Sequence, residues 1–149
     1  MFNYSLALRT DRSQQDVDAL LQDLLAAARP DAGGSGLALT GRVRPITDPS
    51  LQATLDEALE EHTDVEVRLD LDPKADGYAQ ARQDLAVVSA VVAARTAQAA
   101  CLVFQYELVL MRFSGGRLTL HDWYPEWQDP EVVAALPVPF DRTDDPGLL

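Results

Sequence analysis

The chain has 149 residues, 47% of them hydrophobic, and a formal charge of -12 from 24 acidic and 12 basic side chains. Such a length suits one domain that buries roughly 70% of its unfolded surface without a metal or disulfide, and the lone cysteine, Cys101, excludes an internal disulfide. No apolar run approaches the roughly 18 residues of a membrane span, and Met1-Phe2-Asn3-Tyr4 lacks the basic and long apolar regions of an export signal, so a cytoplasmic chain without a membrane segment is expected.

The charge is unevenly placed. Residues 48–84 hold 11 acids and 3 bases, a balance of -8, and residues 122–149 hold 7 acids and 1 base, a balance of -6. Residues 85–121, with 1 acid and 3 bases, are nearly neutral. Such a field repels phosphate backbones, which argues against direct nucleic-acid binding, and attracts basic partners. It also solubilises, and charge alone favours that plainer reading.

In chain order, Phe2, Tyr4, Leu6 and Leu8 alternate with Asn3, Ser5, Ala7 and Arg9, the period of a half-buried strand. Ser13 with Asp16 resembles a capping box, and Val17, Leu20, Leu21, Leu24, Leu25 and Ala28 make a helical stripe stopped at Pro30. The glycines of residues 31–36 lack the Lys-Ser/Thr that a phosphate loop needs, so a plain turn is expected. Leu37, Leu39 and Val43 suggest a second strand ending at Pro45. Asp48-Pro49 then offers an N-cap with proline at the first helical position, opening a short helix marked by Leu51, Leu55, Ala58 and Leu59. Its polar side carries Gln52, Asp56, Glu57, Glu60 and Glu61, so it lies on the surface or projects as an insertion.

Val65, Val67, Leu69 and Leu71 alternate with Glu66, Arg68, Asp70 and Asp72, which predicts a third strand with one wet face bearing both charge signs. A long, mostly buried helix follows over about Asp76 to Ala97, starting at Asp72-Pro73 or Asp76-Gly77, with Ala81, Leu85, Val88, Val92 and Arg95 on one stripe. Between Cys101 and Phe113, one continuous strand and two strands turning near Gln105-Tyr106-Glu107 are both compatible with the period. Gly115-Gly116 marks a tight hairpin between Phe113 and Arg117. A short helix over Pro130 to Leu136 is possible, and Pro137, Pro139 and Pro146 predict an extended tail over about 137–149 that packs on the body rather than adding structure.

Few residues invite chemistry. His62, Asp64, Asp70, Asp72 and Asp76 are cation-ligand types in no recognisable metal spacing, so no metal is expected. His121-Asp122 would point to opposite faces of a strand, and Cys101 lacks any neighbour that would activate it. Neither catalytic residue nor cofactor is nominated. Trp123, Tyr124 and Trp127 either cap the core or anchor a partner, core capping being the better supported.

The opening Phe2-Asn3-Tyr4-Ser5-Leu6, the strand Val65-Glu66-Val67-Arg68-Leu69-Asp70 followed by Lys74 and Asp76, the block Leu102 to Leu120 with Glu107 and Gly116-Arg117-Leu118, and the late Trp127 share an order of features. That order resembles the immunity proteins of the Sit type, the protective partners of swarm-inhibiting polymorphic toxins. The family often has Asn-Gly-Glu where this chain has Gln105-Tyr106-Glu107. The resemblance implies a cytoplasmic bacterial protein, not an enzyme, that binds a cognate toxin tightly and blocks it. If that toxin is a nuclease, an acidic face suits its basic cleft. The alternatives are a small enzyme or ligand-binding domain using the His62 or His121 neighbourhood, which lacks a nucleophile or metal pattern, and a self-associating structural module.

The resulting expectation is one α+β domain over 1–149, mainly antiparallel, with two principal helices on one sheet face, Ser13 to Arg29 and Asp76 to Ala97, and a short acidic helix. Leu85, Val88, Val92, Leu108 and Leu110 are expected in the core. Asp56, Glu57, Glu60, Glu61, Trp123 and Trp127 are the candidate partner-binding residues.

Overall fold

A computed structural model describes residues 1–28, 38–60 and 62–149, with 58 and 59 described by backbone alone. The expected helix end at Arg29-Pro30, the glycine turn, Leu37 and Glu61 therefore lie outside the described residues. The elements are β1 (Phe2–Arg9), α1 (Gln14–Ala27), β2 (Leu39–Pro45), α2 (Pro49–Leu59), β3 (Val65–Leu71), α3 (Tyr78–Thr96), β4 (Ala99–Phe104), β5 (Leu108–Ser114) and β6 (Arg117–His121). A single 3₁₀ turn (Pro125–Gln128), α4 (Pro130–Ala134) and β7 (Phe140–Thr143) complete the chain. The strands form one sheet in the order β2-β3-β1-β4-β5-β6-β7, antiparallel throughout except for the parallel β6–β7 pair. This is a single α+β domain.

Strand period decides the two faces. Tyr4, Leu6 and Leu8 of central β1 stand beside Val65, Val67, Leu69 and Leu71 of β3 and Leu102 of β4 on the face covered by α1 and α3. At Gly41 in β2, a Cβ would come within 3.0 Å of Leu69 Cδ2 and 3.1 Å of Leu21 Cδ2. A side chain here would make these leucine methyls shift by a few tenths of an ångström, so glycine suits the close approach of α1 to the sheet. The helix starts as the sequence suggests, with Asp16 N–H donating to Ser13 Oγ at 3.1 Å. Leu85, Ala86, Val88, Ala90, Val92 and Ala93 of α3 are all buried, so α3 is buried around most of its circumference, while Arg95 at its end is exposed. Of the two expected starts of α3, Asp76-Gly77 is the one used, with Gly77 at φ 80 as the cap, while Asp72 turns the chain, accepting from Lys74 N–H at 3.0 Å. Leu85→Ala should cost about 2–5 kcal/mol through the cavity it leaves. Urea midpoints of the variant and the parent measure this, and an unchanged midpoint would remove α3 from the core.

The tertiary structure decides one open alternative and changes three expectations. Cys101 to Phe113 is two strands, β4 and β5, joined by a turn in which Glu107 N–H donates to Phe104 carbonyl at 2.9 Å. Leu110 is fully buried, but Leu108, at the start of β5 where it bridges to Leu148 of the tail, is only half-buried. The tail does add structure: Phe140–Thr143 pairs with β6, and Val109 N–H donates to Gly147 carbonyl at 2.8 Å. Proline forbids a ladder N–H only at its own position, so residues 140–143 between Pro139 and Pro146 remain free to pair. The wet face of β3 is partly dry, since Glu66 is 1% exposed.

Candidate partner-binding site

The second sheet face is covered in part by α2. Leu55, fully buried, packs with Ala7, Cys101, Val103 and Val109, and Leu51 and Ile46 flank them. Small side chains at Ala7 and Cys101 make room for the helix, which is thus laid across the sheet and does not project. Asp48 caps it, accepting from Ser50 N–H at 2.9 Å and Leu51 N–H at 3.4 Å. Burial pushes the Cys101 thiol up to about 12, so it is a protonated core residue.

The acidic residues of α2 divide into two kinds. Asp56 is tied inward, accepting from Thr63 N–H at 2.8 Å and Thr63 Oγ1 at 3.1 Å, with His62 Nδ1 at 3.0 Å from its other oxygen. Burial raises its pKa, but these bonds and Gln52 outweigh that and hold it below the ordinary carboxylate range. Asp56 thereby anchors the return of the chain to β3, with Gln52 Nε2 bonded to Thr63 carbonyl. Glu57 and Glu60 are exposed, and their carboxylates have no partner among the described residues. Glu60 ends the helix in the left-handed region at φ 56.

The aromatic candidates are absorbed by the core. Trp127 is fully buried and its Nε1–H donates to Leu110 carbonyl at 2.9 Å. It stacks edge-on with Tyr124 at 5.4 Å, and Tyr124 does the same with Trp123 at 5.9 Å. A side chain with no exposed surface cannot meet a partner directly, so Trp127 is withdrawn as an anchor. Trp123 is half-buried and bonds Val109 carbonyl through Nε1–H at 2.7 Å.

A cavity of about 320 Å³, not anticipated from sequence, opens where α2 begins. Its walls are Arg44, Glu66, Arg68 and Tyr106 on the polar side and Pro45, Ile46 and Leu51 on the apolar side. Glu66 accepts from Ser5 Oγ at 2.6 Å, Tyr106 OH at 2.8 Å and Arg44 Nε at 2.6 Å. Burial raises the Glu66 pKa, but the Ser5, Tyr106 and Arg44 bonds prevail and hold it low, so it is ionised. Tyr106, raised by its own burial and by Glu66, stays protonated and donates. Its hydroxyl also accepts from Arg44 Nη2 at 3.4 Å and Arg68 Nη1 at 3.3 Å. The charged alternation of β3 was the only sequence signal for this site. Tyr106 had none, because its reach depends on a turn with Gln105 at φ 50 and Tyr106 at φ 57.

The described residues contain no group of three or more His, Cys, Asp or Glu placed to hold a metal ion, and no helix long and apolar enough to cross a membrane. The described site is a surface of charge and shape. A family model described as SitI3-like matches residues 2–131, which is most of the chain. The chain belongs to the SitI3-like family. No curated protein and no solved structure matches it. The SitI3-like match ends inside α4, so β7 and the final residues lie beyond it.

Proposed function

We propose that this chain is an immunity protein that binds a cognate toxin in the cytoplasm and neutralises it by occupying its working surface, with no cofactor and no chemistry of its own. Membership of the SitI3-like family supports the immunity role. The docking face rests on one observation: α2 has no basic residue in its last turn, while Glu57 there and Glu60 at its C-cap are exposed and have no partner among the described residues. Negative charge at a helix C-terminus opposes the helix dipole. Helix stability does not account for these acids, whereas a basic partner does, through faster encounter and competition with phosphate. Glu61, next in sequence, extends the same charge, and Asp56 positions the segment. Trp123, half-buried against the main core and bonded to Val109 carbonyl, is the secondary contact.

Reversing Glu57 and Glu60 to lysine tests this reading. Association with the cognate toxin should slow about tenfold at low salt, with a shallower salt dependence. The melting temperature should stay level or rise slightly, since lysine suits a helix C-terminus. Parent-like association and protection at low salt would reduce the acidic helix to a solvated surface.

A further inference from the structure

The cavity at the start of α2 has donors that the protein does not use. The Tyr106 hydroxyl spends its proton on Glu66 and both lone pairs on Arg44 and Arg68, so it is saturated. Glu66 accepts two bonds on Oε2, from Ser5 and Tyr106, and one on Oε1, from Arg44. Arg68 reaches Asp70 only through Nε at 3.4 Å. Arg44 Nη1 and Arg68 Nη2 are left without acceptors among the described residues. Arg42, opposite Arg68 in the β2–β3 register, is exposed and has no partner among them either.

Charge points the same way. Three guanidiniums on neighbouring rungs, Arg42, Arg44 and Arg68, face two carboxylates, Glu66 and Asp70. Asp48 at the rim is turned onto the first N–H groups of α2, whose positive end offsets it. Two cations converging on one hydroxyl repel each other unless anions face them; Glu66 meets Arg44 and Asp70 meets Arg68, each through Nε, so the excess positive charge of the cluster is the one that Arg42 adds. The phenol is delivered there by two consecutive non-glycine residues in the left-handed region, Gln105 and Tyr106. Both lie at the centre of the two-residue β4–β5 turn, a hairpin geometry that takes positive φ at both positions and so fixes where the phenol points.

We propose that this cavity is a binding site for a carboxylate group, delivered, on the immunity reading above, by an acidic side chain of the toxin. A carboxylate accepts from two guanidinium forks at once, and Pro45, Ile46 and Leu51 suit the methylene stem that carries it. At about 320 Å³ the cavity lies at the small end of ligand sites, the scale of one or two side chains. Glu66 behind the donors and the chain charge of -12 disfavour a dianion such as phosphate. The face thus offers two opposite handles, free acids at the end of α2 and free arginine donors at its beginning, which fix a partner's orientation as well as its approach.

The test is an NMR titration of the full chain with the α-amide of N-acetylglutamate, up to about 20 mM, which a millimolar Kd would saturate. Saturable shifts are expected at the Arg44 and Arg68 guanidinium N–H groups and at Gln105–Glu107. They should vanish in Arg68→Gln and in Tyr106→Phe, persist in Glu57→Lys/Glu60→Lys, and be absent with the neutral glutamine analogue. With the toxin, Arg68→Gln should raise the dissociation rate about tenfold with little change in association, the reverse of the Glu57 and Glu60 reversals. Three results overturn the proposal: no saturable shift, equal binding of the glutamine analogue, or tighter binding of inorganic phosphate. A toxin complex indifferent to Arg68→Gln overturns the toxin as the source of the carboxylate while leaving the immunity role intact. If no toxin complex forms yet the glutamate probe still saturates, the immunity reading falls alone and the site stands with a free carboxylic acid as its ligand.

Discussion

Trp127→Ala should cost about 4 kcal/mol of stability, the largest loss expected from any single substitution here. The indole is fully buried, and truncating a buried tryptophan removes about 3–5 kcal/mol of transfer and packing energy. Leu110 carbonyl would also lose the bond it accepts from Nε1–H at 2.9 Å. Against a total stability of about 5–15 kcal/mol for a domain, that loss brings the native state close to its limit. Trp127→Phe should recover most of the packing and none of the hydrogen bond, and so cost about 1–2 kcal/mol. Half-buried Trp123 sets the contrast, and Trp123→Ala should cost less than Trp127→Ala. Urea denaturation with matched slopes measures all three, and a Trp127→Ala midpoint at or above that of Trp123→Ala would contradict the burial described here.

Glu66→Ala comes next, at about 3 kcal/mol. It deletes a 1%-exposed carboxylate that accepts three bonds and strands Ser5, Tyr106 and Arg44 at once. Arg44 is 41% exposed, so water can take over part of its loss, which keeps the figure below the limit for a fully buried ion pair. Glu66→Gln separates charge from shape. The folded-state pKa of Glu66 is depressed, so its ionisation contributes stability above the ordinary carboxylate value, and that contribution disappears as pH falls through the folded pKa. The parent should therefore exceed Glu66→Gln clearly at pH 7 and converge on it as pH falls through the depressed folded pKa, below the ordinary carboxylate range. A gap that stays constant across this range would mean that the ionised form gains nothing from the fold.

Local rules accounted for the elements. Strand alternation placed β1 and β3, Ser13 and Asp48 marked the helix starts, and Gly115 and Gly116, at φ 59 and 76, formed the expected hairpin. Each of these depends on neighbours a few residues apart, which is what hydrophobic period, capping and turn chemistry report. The candidate site was legible only in fragments. The acidic run of α2 is visible as composition, but nothing local distinguishes inward-tied Asp56 from free Glu57 and Glu60. That distinction comes from Thr63, which returns beneath the helix. The resemblance read from short motifs agrees with the SitI3-like match over residues 2–131, because such motifs sample the strands that build the sheet.

By itself, then, the sequence determined the α+β class, the hydrophobic faces and the acidic helix, since all three follow from side-chain period and charge along one segment. Only the tertiary structure decided that β7 pairs parallel to β6, that Trp127 lies in the core, and that Tyr106 meets Glu66, Arg44 and Arg68 across separations of 40, 62 and 38 residues. The reason is physical: a polar side chain's role is set by which donors and acceptors the sheet register brings opposite it, and register is a property of strands far apart in the chain.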